Sequence, residues 1–242
     1  MGCPPLKTIG LLGGMSWEST VPYYQIINRT VRERLGGFHS ARIVLYSLDF
    51  HEIERLQRTG RWLDAAEVLV AGARCLERAG VDFLVLCTNT MHKVAGDIEA
   101  RVGVPLLHIA DATARRITAA GMRRVGLLGT RFTMEEDFYR DRLAGRHGLE
   151  ILVPPQDDRA TVHRVIYDEL CLGSIRDESR TAFDGVVRGL VGRGAEGIIL
   201  GCTEIGLLVR PADVPVLLFD TAAIHAEEAA LCALEDVPGA GT

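Results

Sequence analysis

The most reactive side chains in this sequence are six cysteines, at positions 3, 75, 87, 171, 202 and 232. They have no C-x-x-C spacing and no clustered histidines beside them, which argues against a zinc site and a disulfide framework and leaves free thiols. Two of them sit in similar company. "FLVLCTNTMHK" at 83–93 and "GIILGCTEIGLL" at 197–208 each run from a Val/Ile/Leu stretch into small polar residues. A strand that ends this way ahead of a helix presents backbone N–H groups and hydroxyls to an anion, and a thiol there can exchange a proton. At the first of the two turns the reactive position is either Cys87 or its neighbour Thr88.

Internal repetition separates the two candidates. "TIGLLGG" at 8–14 recurs as "RVGLLGT" at 124–130, a shift of 116 residues. "GVDFLVLCTNT" at 80–90 recurs as "GAEGIILGCTE" at 194–204, a shift of 114, and "VPLLHI" at 104–109 recurs loosely as "VPVLLF" at 214–219. The order is the same both times, as expected of two copies of one α/β unit. The 114-residue shift sets Thr88 opposite Cys202 and Cys87 opposite Gly201. Neighbouring strand residues point to opposite faces, so if Thr88 faces a ligand then Cys87 faces the packing. Cys87 therefore reads as a buried structural thiol. Cys202, at a helix start, is expected to have its thiolate favoured.

The elements that must carry these turns are short apolar runs bounded by Gly, Pro or Asp, the pattern of parallel strands buried on both faces. Strands are predicted near 8–12, 43–48, 82–87 and 104–108, then 124–129, 149–153, 197–201 and 215–219. Between them, "WLDAAEVLVAGARCLERAG" at 62–80 and "SRTAFDGVVRGLVGRG" at 179–194 have helical apolar spacing and a closing Gly. No Pro/Gly/Ser-rich linker separates the copies, so short crossings near 109–122 and 212–222 are expected to join them. Ligands bind beyond the carboxyl ends of the strands in open α/β sheets. Two such lobes face to face would enclose a cleft with one acid/base group for each face of a bound carboxylate, an arrangement suited to inverting a stereocentre.

Composition excludes other classes. A chain of 242 residues with 48% hydrophobic content can bury a full core, as one large domain or two small ones. Its net charge of −5 comes without a basic stripe, so a small ligand is expected and a nucleic acid is not. The start "MGCPPLKTIG" lacks the pattern of a signal peptide, and no apolar run is long enough to span a bilayer, which predicts a cytoplasmic protein with no membrane partner.

Plainer readings account for much of the rest. The "GLLGGM" glycines fit a tight strand-to-helix turn, since their spacing is neither G-x-G-x-x-G nor a P-loop. His92 reads as a capping or supporting group, and His51, His108, His163 and His225 as ordinary polar contacts. Packing explains Cys3, Cys75, Cys171 and Cys232. Cys202 alone would be read the same way, but its motif and its place opposite Thr88 set it apart.

From "IGLLGGMSWEST" through "CTNTMHK" and "GCTEIGLL" to "FDTAAIHAE", nearly its whole length, the chain resembles the cofactor-independent aspartate/glutamate racemase family. The resemblance is closest to the branch of broad or L-Asp/Glu-directed amino-acid racemases that carry "TNTMH". It implies two similar Rossmann-like α/β/α lobes, each with a parallel four-stranded sheet, related by pseudo-twofold symmetry with the active site in the cleft between them. One lobe would take residues 1–110 plus 220–242 and the other 111–219, the C-terminal helix packing back on the first. It further implies an isomerase that uses no PLP, other cofactor or metal, takes an acidic amino acid as substrate and commonly forms a homodimer.

Typical members of that family read C-N-T-x-H at the first motif and G-C-T-E at the second, and their two thiols flank the substrate's Cα. Here Cys202 keeps the second thiol, but Thr88 stands where the first would be. An unaided threonine hydroxyl does not ionise near neutrality, so Cys202 is the expected base, with Thr88 relaying a proton through its hydroxyl or through water. The resemblance places Asn89, Thr90, Thr203 and Glu204 around the substrate's carboxylate, with Met15 and Gln57 nearby. Thr130 and Thr133 in "GTRFTM" follow the matching first strand of the second copy. No Arg or Lys marks a place for a second carboxylate, and Arg131 is a candidate by position alone. Two alternatives stay open: a single-cysteine enzyme like the arylmalonate decarboxylases, in which one thiol protonates an enolate after carbon dioxide leaves, or a protein that binds a small ligand without turnover.

Overall fold

Each Val/Ile/Leu run is too short for a stable helix and ends on residues that interrupt regular backbone, so the runs form strands. The computed structural model describes residues 6–237. In it β1 (Thr8–Gly13), β2 (Arg42–Ser47), β3 (Phe83–Leu86) and β4 (Leu106–Leu107) form one parallel sheet in the order β2-β1-β3-β4. A second parallel sheet, β6-β5-β7-β8, contains β5 (Arg124–Gly129), β6 (Glu150–Leu152), β7 (Gly197–Gly201) and β8 (Leu217–Asp220). The chain divides into two compact units, each built on one sheet. One takes the described residues up to His108 and those from His225 on, and the other is Ile109–Ile224.

The sheets repeat each other residue by residue. Leu12 pairs with Leu86 in the first, and Leu128 with Leu200 in the second. These are the positions that the shifts of 116 and 114 make equivalent. The fourth strands need a correction: Leu84 pairs with Leu106 and its counterpart Ile198 with Leu218, so "VPLLHI" matches "VPVLLF" two residues further along than the sequences suggest. A slip of two leaves every side chain on the same face of a strand, so apolar pattern alone cannot detect it.

The predicted helices form at Trp62–Arg78 and Asp177–Gly192, and each is followed two residues later by a glycine in the left-handed region, Gly80 and Gly194. Their apolar stripes build the two cores. Leu69, Ala73 and Leu76 pack with Leu12, Leu84 and Leu86 in the first unit. Phe183, Val187 and Leu190 pack with Val125, Leu127 and Ile198 in the second. Burying each such large side chain contributes about 1.5–3 kcal/mol, more than the few tenths that separate helix propensities, so these faces fix where the helices lie.

Burial on both faces holds for β3 and β7 throughout, and for β1 and β5 except their first residues. It does not hold for β2, where Leu45 and Tyr46 are exposed. An edge strand has a neighbour on one side only, so its β-rich composition overstated its burial. The helix Thr221–Leu234 ties its later part to the first unit: His225 Nε2–H donates to the Leu107 carbonyl (2.9 Å), Lys7 N–H donates to the Ala233 carbonyl (3.2 Å), and Lys7 pairs with Glu235 (2.8 Å).

Candidate active site

In both units the sequence-predicted residues collect at the carboxyl ends of the two central strands, β1 and β3 or β5 and β7. With this strand order the chain turns in opposite directions at that point, the place where open α/β sheets bind ligands.

In the first unit, Cys87 N–H donates to the Leu12 carbonyl (2.9 Å), extending the ladder by one residue, and Thr88 N–H donates to the Leu86 carbonyl (2.8 Å) as the chain leaves the sheet. His92 N–H then closes on the Asn89 carbonyl (3.1 Å), opening the 3₁₀ turn Thr90–Val94. The His92 ring fixes the same turn. Its Nδ1 lies 2.7 Å from the Thr88 carbonyl, which can only accept, so Nδ1 carries the proton. Thr88, Asn89 and Thr90 are buried or nearly so. Cys87 has no exposure, its Sγ lies 3.7 Å from the Val85 carbonyl, and burial pushes its thiol far up.

Gln57, from the helix Phe50–Arg58, donates Nε2 to Met91 Sδ (3.0 Å) and so reaches this turn from the side. Met15 is buried in the loop after β1. That loop is tight. Gly14 sits at φ 85, a β-carbon there would collide with the Leu48 backbone, and Gly14 N–H donates to Thr20 Oγ1 (2.9 Å).

The structure also gathers histidines that the sequence reading treated as separate. His92 lies against His108, ring centroids 4.3 Å apart, and 6.0 Å from His225. Because His225 donates through Nε2, its Nδ1 accepts from the Tyr23 hydroxyl (3.0 Å). Tyr23 and all three histidines are buried. β3 and β4 are neighbours, and the 3₁₀ turn after β3 brings His92 back to His108, one residue past β4.

In the second unit, Gly129 pairs with Gly201 at the last position of the ladder, and Cys202 follows. A β-carbon on Gly201 would stand 2.9 Å from the Leu128 carbonyl and 2.8 Å from Leu127 Cδ1, so the counterpart of Cys87 has no room for a side chain. Cys202 is 8% exposed, close to the 6% of Thr88. Its thiol donates to Glu204 Oε2 (3.0 Å), and Thr203 Oγ1 donates to the same oxygen (2.7 Å). Glu204 is itself buried. Thr130 caps the short helix Arg131–Glu135, its Oγ1 accepting from Thr133 N–H (3.3 Å). Arg131 N–H reaches His163 Nδ1 (3.3 Å), and its guanidinium lies over the Phe132 ring.

The expectation that Cys202 favours its thiolate does not hold. Burial first, then the negative charge of Glu204, holds the thiol well above its ordinary value. The helix that follows, Ile205–Leu208, is a single turn and too short to offer a useful dipole. Cys202 therefore rests as a proton donor.

Among the described residues Cys75, Cys87, Cys171, Cys202 and Cys232 form no disulfide with one another, and Cys3 lies outside them. Among the described residues no group of three His, Cys, Asp or Glu side chains is placed to hold a metal ion, and no helix is long and apolar enough to cross a membrane.

The profile of the Asp/Glu/Hydantoin racemase family matches residues 12–229. A Yersinia pestis structure provisionally described as an Asp/Glu racemase is 57% identical, with a TM-score of 0.88 over 94% of this chain and 99% of that one. An aspartate racemase homologue from Pyrococcus horikoshii is 35% identical, with a TM-score of 0.80 over the same shares. Among curated relatives, the broad specificity amino-acid racemase RacX of Bacillus subtilis is 28% identical over 149 residues, 60% of this chain and 63% of that protein. The chain spans less than two thirds of the length of the first curated relatives it matches.

Proposed function

Since the chain belongs to the Asp/Glu/Hydantoin racemase family, we propose that it is an amino-acid racemase, working without a cofactor on aspartate, glutamate or a related amino acid. Cys202 exchanges the Cα proton on one face, and Thr88 serves the other, where a second thiol would act. The observation that carries this reading is the shared strand register, in which Thr88 and Cys202 each follow by two residues the equivalent pairs Leu12–Leu86 and Leu128–Leu200.

The chemistry follows from acidity. A Cα–H is a far weaker acid than a thiol, and each pKa unit between them adds about 1.4 kcal/mol to the step. The carbanion must therefore be stabilised where its charge develops, on the substrate's carboxylate. Backbone N–H groups and the side chains of Asn89 and Thr90 are the donors suited to that task, since the one hydroxyl proton of Thr203 already goes to Glu204. The Cys202 thiol supplies a proton directly when the carbanion is quenched from its side, and must first give up its own proton to act as base.

Proton NMR in deuterium oxide with both enantiomers of a panel of amino acids tests the reading. Mirror-image amino acids have equal free energy in water, so a racemase must show equal kcat/KM in the two directions, while an unsymmetrical thiol/hydroxyl pair permits unequal kcat. Deuterium should enter Cα from either enantiomer. A second reading is favoured by the protonated resting state of Cys202 and the absence of sulfur at Thr88: a decarboxylase needs one acid and no partner base. Carbon dioxide released from an arylmalonate, with no mirror-image amino acid formed, would install that reading in place of the racemase.

A further inference from the structure

We infer that Glu204 carries the proton of Cys202, so that the acid/base group of the second turn is a thiol–carboxylate pair and not a lone thiol. The pair is visible without reference to any substrate. Sγ and Oε2 are 3.0 Å apart, and Thr203 Oγ1 donates to the same oxygen at 2.7 Å. One oxygen taking two donors behaves as a carboxylate, and Glu204 holds this arrangement at 2% exposure, where water competes little. Among the described residues, titratable groups on the elements around the turn include Cys171 on Leu170–Leu172, Glu169 before it, whose carboxylate accepts from Ser179, Asp220 at the end of β8 beside Gly206, and Arg180, which donates to the Leu208 carbonyl.

The pair resolves how a thiol that rests protonated can act as a base. At rest it holds one proton, on Sγ. On Cα deprotonation that proton moves to Oε2, the freed sulfur lone pair takes the Cα proton, and the C–H bonding electrons stay on the substrate as a carbanion spread into its carboxylate. The pair then holds two protons. In the opposite direction Sγ–H protonates the carbanion and Oε2 returns its proton to sulfur. The identity of the carbon acid rests on the racemase reading, whereas the pair itself does not.

Alkylation by iodoacetamide, followed at Cys202 by peptide mass spectrometry as a function of pH, reads the pair directly, and Cα exchange reads its use. Glu204→Gln removes the charge that opposes thiolate formation. Cys202 should then be alkylated several-fold faster at neutral pH, while Cα exchange falls by about 10²-fold, the usual contribution of a positioned proton carrier. Glu204→Asp should recover at least about tenfold of that exchange, because it keeps a carboxylate. A faster thiol in a slower enzyme is a result that simple structural damage does not produce. If Glu204→Gln fails to fold, wild type decides: a coupled pair bends the log-rate profile below unit slope, and a lone thiol keeps unit slope. An unchanged alkylation profile in Glu204→Gln, exchange at the wild-type rate in that variant, or unit slope throughout in wild type would each overturn the pair. Absence of Cα exchange in wild type with every amino acid would sink the racemase reading, and the alkylation profile would still decide the pair.

Discussion

After β3 the chain leaves its sheet through Cys87, Thr88 and Asn89, and after β7 through Gly201, Cys202 and Thr203. Both turns continue the same strand register, and both put a nearly buried polar side chain two positions past the equivalent pairs Leu12–Leu86 and Leu128–Leu200. What differs is where the sulfur lies. In the first turn it fills the inward position, with a carbonyl beside it and no exposure. In the second the inward position has no room even for a β-carbon, and the sulfur stands one residue later with its thiol donating to Glu204. Because strand side chains alternate, moving a cysteine by one residue changes it from packing material to a group that can meet a ligand. The supports differ too: the first turn is held by a histidine on the Thr88 carbonyl, the second by a carboxylate on the thiol itself.

The strongest way to break this comparison is to delete each sulfur in turn. Cys202→Ala should lower Cα exchange by about 10³-fold or more, while Cys87→Ala keeps most of it. NMR exchange rates measure both, and the reverse order would mean that the first turn had been placed in the wrong register.

Making the turns alike is the next test. Thr88→Cys supplies the missing sulfur at the equivalent position, and should raise turnover about tenfold and add one alkylatable thiol by intact-mass measurement. A folded variant with wild-type turnover and no additional accessible thiol would show that position 88 does not face the substrate.

The inward positions can be compared through stability. Gly201→Ala forces a β-carbon against the Leu128 carbonyl and should destabilise the fold by roughly 1–3 kcal/mol in urea denaturation. Cys87→Ala leaves only a small void and should cost about 1 kcal/mol. Equal losses at the two positions would mean that the second turn relaxes to admit a side chain.

The smallest effect is electrostatic. Burial raises the thiols of Cys87 and Cys202 in the folded state, so the fold binds their protons more tightly than the unfolded chain does. Their contribution to stability is complete below the ordinary thiol value of about 8.5 and is lost as pH rises from there toward the folded values. The melting temperature of wild type should fall on the alkaline side, and that of Cys87→Ala should fall less.

Much of this was legible in one dimension. Strand and helix positions follow from apolar period and from stops such as Gly80 and Gly194, because these are local properties of the backbone. The equivalence of Thr88 with Cys202 followed from the repeat, since neither central strand contains an insertion that would shift its register. The burial of Cys87 followed from alternation once the repeat had set Thr88 opposite Cys202. Other features depended on residues brought together from far along the chain. The fourth-strand match slipped by two because a shift of one full period leaves the pattern unchanged, and only hydrogen-bonded pairing distinguishes the alternatives. His92, His108 and His225 become one cluster only when β4 and the C-terminal helix pack beside β3. The protonation of Cys202 was decided the same way, because burial and a neighbouring charge act through space, and neither the depth of a side chain nor the direction of the Glu204 carboxylate is written in the order of residues.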